Sequence, residues 1–160
     1  MADRSRTGGE RGQRLADYTV KRLEDFETVF GGGFKRVRAG LGVTSFGLAV
    51  MEFPRHFENY PVHTQQHDSQ EEVYTLLSGR AQLEIGDETI DLEPGVWVRV
   101  GPAEKRRLLT GDEPARVIAI GGVPGSPYDA PDFTEEGAPD PIGKKYDEMG
   151  EQEFTHKPLT

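Results

Sequence analysis

The fold class that the sequence predicts is all-β: one small domain of antiparallel strands closed into a barrel. Three observations point to it. About eight short stretches alternate apolar and polar residues, turn signals rich in Gly, Pro and Asp separate them, and a helical period is nearly absent. Each such strand has one apolar face to bury, so the strands must stack or close on themselves. At 160 residues the chain suits one domain with a real core and is short for two.

Taken in order, the elements begin at Asp17, after an apolar-poor stretch at 1–16 that reads as a disordered extension. Tyr18 to Leu23 alternates like a short edge strand, and Glu24 to Phe30 suits one or two helical turns, stopped at Gly31-Gly32-Gly33. Phe34 to Val37 and Thr44 to Phe53 read as strands parted by a turn at Gly40–Gly42. Glu72 to Leu77 is a strand and Ser78-Gly79 a turn. Arg80 to Ile85 follows with Leu83 and Ile85 on one face, then a tight turn at Gly86-Asp87. Thr89 to Leu92, a turn at Glu93-Pro94-Gly95, Val96 to Val100, Arg107 to Leu109 and Ala115 to Ile120 complete a barrel domain spanning 17–123. Residues 124–160 carry too many prolines for a central strand. They read as an irregular C-terminal arm anchored by Tyr128 and Phe133, disordered over its last twenty or so residues.

The net charge of −9 is unevenly spread. Residues 1–16 hold four Arg against Asp3 and Glu10, whereas 124–160 hold three Lys against nine acids, and the body between is acidic. An acidic body lacks the basic patch that phosphate backbones require, so nucleic acid is not the expected partner. The chain has no cysteine, which excludes disulfides, thiolate metal sites and cysteine nucleophiles. No apolar run suits a signal peptide or a membrane span, and the expected location is the cytoplasm.

The residues that carry chemistry lie in YPVHTQQHDSQEEVY. His63, Gln65 and His67 alternate, so an extended strand would project all three from one face. Two imidazoles, an amide and the carboxylate of Glu72 would make a pocket for a divalent transition metal: Fe, Mn, Ni, Cu or Zn. The competing reading is the solvated lip of a hairpin. Tyr74 and Trp97 are expected in the core or the cavity wall. His56 and His156 show no partners, the serines form no nucleophilic triad, and Glu71 and Glu72 point to opposite faces of a strand.

The stretch from Pro61 to Gly79 resembles the first motif of the cupin family, H-x-H, three or four residues, Glu, six residues, Gly. Gly79 matches the closing glycine, Glu72 the glutamate and His67 the second histidine, while Gln65 stands at the first. LEPGVWVRVGPAEKRRLL resembles the second motif, with Gly95 at its start, Gly101-Pro102-Ala103 near its turn and Arg106 in place of its histidine. The resemblance covers about residues 44 to 123. It implies a jelly-roll-like double-stranded β-helix with the site in its mouth, often a homodimer, and a usual ligand set of three His and one Glu. A two-residue slip of the strand would let His63 join His67 and Glu72 as an alternative set. Arg106 bears on this, because a guanidinium about 6 Å from a divalent ion is repelled by roughly 5 kcal/mol at an effective dielectric near 20. Either Arg106 turns outward and leaves three ligands, or it turns inward and pairs with Glu72 as a built-in cation.

Three functions follow as expectations. The first is a small-molecule-binding barrel with an atypical or degraded metal site. The second is a metal-dependent oxygenase or isomerase using His63, His67 and Glu72. The third is a non-catalytic module that only dimerises.

Overall fold

The computed structural model describes residues 16–142. The disorder expected for the N-terminal extension and the end of the arm, and His156 with it, lies outside the described residues apart from Ala16. Among the described residues nine strands, all paired antiparallel, make two sheets that enclose a core. They are β1 (Thr28–Val29), β2 (Phe34–Lys35), β3 (Gly47–Phe53), β4 (Glu71–Gly79), β5 (Ala81–Ile85), β6 (Glu88–Leu92), β7 (Trp97–Val100), β8 (Arg106–Leu109) and β9 (Ala115–Gly122). The larger sheet runs β1-β2-β3-β9-β4-β7 and the smaller β6-β5-β8. The all-β class and the barrel architecture expected from the alternation are what the chain adopts. No helix among the described residues is long and apolar enough to cross a membrane.

The core follows from the alternation on each strand. Tyr74 and Leu76 on β4, Leu83 on β5, Leu108 on β8 and Val117 on β9 turn inward and are almost completely buried. Burying each such side chain contributes about 1.5–3 kcal/mol, which the intervening outward residues do not. Strand β3 is buried on both faces, because a second cluster lies behind it: Phe26, Val37 and Val50, backed by Leu23, Leu41, Leu48 and Ile118.

Five local readings are corrected by this packing. Tyr18 to Leu23 is no strand; Tyr18 and Val20 are largely exposed and meet no sheet that would reward their alternation. The helix expected over Glu24 to Phe30 shrinks to a single 3-10 turn, Leu23–Asp25. Gly31 and Gly32, both at positive φ, turn the β1–β2 hairpin instead of stopping a helix. Helix α1 (Val37–Leu41) replaces the end of one predicted strand and closes at Gly42, φ 77°. Only tertiary packing accounts for so short a helix: a Cβ at Gly40 would come 2.6 Å from the Phe26 ring, so the glycine lets helix and ring pack. Ser78-Gly79 continues β4 rather than turning. Gly79, at φ 81°, is required there because a side chain would overlap the Pro114 carbonyl.

Candidate functional site

Inward residues of β4 begin with Glu72, which lies opposite Val100 on β7 and Gly121 on β9. Its carboxylate is mostly buried and is met from several sides. Oε1 accepts hydrogen bonds from the Gln65 amide at 3.2 Å and the Gln70 amide at 3.4 Å, and Oε2 accepts one from the Tyr74 hydroxyl at 2.5 Å. Gln70 reaches it by lying over Gly121, whose missing Cβ would stand 2.6 Å from the Gln70 Oε1.

The parity of β8 settles the orientation of Arg106. Leu83 on β5 pairs with Leu108 and Ile85 with Arg106, so Arg106 shares the inner face with two core leucines. Arg107 points outward and pairs with Glu84 at 2.6 Å. The Arg106 side chain is 0% exposed; its Nε lies 3.6 Å from Glu72 Oε2, and Nη2 donates to the Gly101 carbonyl at 2.9 Å. Its Nε and Nη1 have no hydrogen-bond partner among the described residues. A buried guanidinium is tolerable because the carboxylate is beside it; alone, either charge would carry several kcal/mol of desolvation.

The segment from Pro61 to Gln70 is not the strand that the His-x-Gln-x-His alternation suggests. His63 forms a single bridge to Arg106, with backbone bonds of 3.1 and 3.0 Å, and Gln65 N donates to the Pro102 carbonyl at 2.9 Å. The chain then turns through 66–69, with Ser69 at φ 59° and Asp68 Oδ1 accepting from Gln70 N at 3.0 Å. That turn cancels the same-face rule. Gln65 and Gln70 converge on Glu72, while His67 stands at the rim, its side chain 72% exposed and 3.4 Å from Asp68. His63 Nδ1 donates to the Pro61 carbonyl at 3.0 Å, since a carbonyl only accepts.

The proposed ligand set of His63, His67 and Glu72 is therefore not assembled; among the described residues no three His, Asp or Glu side chains are placed to share an ion. A divalent ion on Glu72 Oε2 would also sit within about 6 Å of the Arg106 guanidinium and be repelled by roughly 5 kcal/mol. The residues present do not fit a divalent metal at this position. Trp97 is a second correction. It is opposite Thr75 on the outer face of the larger sheet and 65% exposed, because the inward residues of β7 are Val98 and Val100.

Above Glu72 the barrel mouth holds a cavity of about 330 Å³. Phe34, Met51, Tyr60, Tyr74 and Ile120 supply much of its apolar wall, and Arg38, His63, Gln65, His67, Gln70 and Glu72 its polar groups. Tyr128, Pro131, Phe133 and Thr134 line its C-terminal side. Tyr60, Gln70 and Arg38 were missed in the sequence. Gln70 was findable, since it stands two residues before Glu72 and strand parity puts both on one face. Arg38 gave no signal, because the short helix that carries it is not legible.

Burial holds the Tyr60 and Tyr74 hydroxyls well above the ordinary tyrosine range, and the Glu72 charge adds to the effect. An acid whose folded pKa is raised contributes stability that is complete below its unfolded value, near 10, and is lost as pH rises further. Stability is thus expected to hold up to about pH 10 and to fall steeply above it. A urea titration at stepped alkaline pH, with tyrosinate absorbance followed in parallel, checks this. Free ionisation of both phenols in the folded state near pH 10 would refute it.

A family model described as a cupin domain matches residues 49–121. Among solved structures, a cupin protein from Bacteroides fragilis aligns at a TM-score of 0.57 and 24% identity, over 75% of this chain and 95% of that one. The cupin domain of Schizosaccharomyces pombe Cnp3 aligns at 0.45 and 19% identity, over 49% of this chain and 53% of that one. The cupin domain of an XRE-family transcriptional regulator from Enterobacter cloacae aligns at 0.46 and 15%, over 52% and 86%. No curated protein matches the chain significantly.

Proposed function

The chain belongs to the cupin superfamily through residues 49–121, and we propose that its barrel binds a small organic molecule at a site where an arginine–glutamate pair stands in place of a metal. One observation carries the reading. The barrel mouth keeps a cavity of about 330 Å³, of the size that small ligands fill, instead of being packed with side chains. A module that served only to dimerise would have no use for that space. The metal-dependent oxygenase or isomerase would need His63, His67 and Glu72 to converge, and the turn at 66–69 keeps His67 at the rim. The proposal extends to a homodimer, which the cupin resemblance supports, and to the cytoplasmic location expected from the sequence.

Polar chemistry in the cavity is asymmetric. Glu72 is engaged by two amides and a phenol, so it serves as an internal anchor, whereas His63 lines the cavity with its Nδ1 held by the Pro61 carbonyl. A ligand with a hydroxyl or N–H near His63 and an apolar body against Phe34, Met51 and Ile120 fits that arrangement.

Thermal melts against a metabolite collection, with Mn, Fe, Ni and Zn salts in separate wells, test the reading. A ligand at a hundred times its Kd is expected to raise the midpoint on the order of 5–10 °C. The metal salts are expected to leave it unchanged, and protein purified without chelator to carry far less than one metal per chain. Near-stoichiometric metal, lost together with thermal stability on chelation, would overturn it.

A further inference from the structure

Beyond β9 the chain crosses the barrel mouth without joining a sheet. Among the described residues it carries the 3-10 turn Asp132–Thr134 and helical backbone at 141–142. The Phe133 ring packs edge-on against Phe30 and Phe34, at 5.6 and 5.3 Å. What holds the crossing backbone is a buried clasp. Arg36, its side chain 0% exposed, donates from Nε to the Phe133 carbonyl and from Nη2 to the Ala138 carbonyl, both at 2.8 Å. Its Nη1 is bound to Glu27 Oε1 at 2.6 Å, and Glu27 Oε2 in turn accepts from Gly137 N at 2.9 Å. Both clasp and crossing lie outside residues 49–121, the part matched by the family model.

We propose that residues 124–142 form a strap that covers one side of the cavity, with Arg36 and Glu27 as its latch, and that the way in for ligand widens when the strap lifts. The inference rests on the binding reading for its purpose. The opposite cavity wall is built from β3, β9 and β4, which are tied by continuous ladders of backbone bonds and cannot part without breaking the barrel. The strap has no ladder. An aromatic seal and side-chain contacts hold it: the Arg36–Glu27 clasp, Arg38 to Glu135 at 2.5 Å, Lys21 to Glu136 at 3.2 Å and the Phe30 N–H to Asp140 at 3.0 Å. With no ladder, it is the wall that can open while the fold stays intact. The guanidinium gathers the carbonyls of Phe133 and Ala138 on one side chain, and it is the buried member of the contacts that hold the strap, so releasing it loosens the crossing between those residues.

The absence of cysteine makes a direct test possible. Ala119 on β9 lines the cavity beneath the strap, and a single Ala119→Cys is expected to react slowly with dithionitrobenzoate. Glu88→Cys, on the exposed edge of the smaller sheet, is the accessible control. Adding Arg36→Met should speed labelling at position 119 at least tenfold, and Glu27→Gln should speed it to a lesser degree, with the control rate unchanged. Far-UV dichroism at the labelling temperature verifies the fold. If Arg36→Met unfolds, the half-exposed Glu27→Gln decides alone. Equal labelling with the latch intact and cut, in folded protein, overturns the strap. The labelling uses no ligand, so that failure leaves the binding reading standing, and an empty metabolite screen leaves the labelling result standing.

Discussion

Replacing Arg106 with methionine is expected to destabilise the protein by about 3–5 kcal/mol. The guanidinium is 0% exposed and 3.6 Å from Glu72 Oε2. Methionine of similar length would fill the space but leave the carboxylate in the barrel without its cation. Tyr74, Gln65 and Gln70 still donate to Glu72, yet none of them carries charge. Removing both charges should therefore cost much less than removing one: Glu72→Gln with Arg106→Met is expected to recover a large part of the loss, since apolar or neutral replacements of a buried pair are often tolerated. Urea denaturation measures both, with an unchanged slope showing that the transition still exposes the same surface. A loss below about 1 kcal/mol for Arg106→Met would mean that the phenol and amides suffice, and that the ion pair does not organise the cavity floor.

The second large effect is expected two residues further along the same strand. Leu108→Ala should cost about 2–5 kcal/mol, because Leu108 is 0% exposed and lies opposite Leu83, also 0% exposed, between the two sheets. Leu109, outward and only half-buried, should cost clearly less on the same truncation. Calorimetric melts of the two variants provide the comparison, and equal losses would show that the β8 register differs from the one described. Leu108 also holds the face on which Arg106 sits, so the two substitutions are expected to be non-additive, with part of their costs shared.

Much of the fold was legible because strand parity is a local property. The runs at Arg80–Ile85, Val96–Val100 and Ala115–Ile120 coincide with β5, β7 and β9 to within one or two residues, since each alternates against a single core face. Short elements that answer to distant packing were not legible. Helix α1 and the β1–β2 hairpin exist because Phe26 and Val37 cover the back of β3, a contact no local pattern encodes. The site was legible in its position and not in its arrangement. Glu72 and Gln65 meet, as placement of the motif residues suggested, but the turn after Gln65 sends His67 outward and brings Gln70 in.

The stretch from His63 to Glu72 and the residue at 106 show where sequence stops. By itself the sequence determined the barrel and the strand that carries Glu72, and its resemblance to the cupin motifs set Gln65 and Arg106 against two of their usual histidine positions. It did so because alternation, turn residues and motif spacing are read along the chain. Tertiary structure alone decided whether Arg106 or Arg107 faces inward, because alternation offers both parities, and only the burial of Leu108 against Leu83 selects one. It likewise decided that the arm after β9 lies along one side of the cavity, because the Arg36 clasp joins residues about a hundred positions apart in the chain.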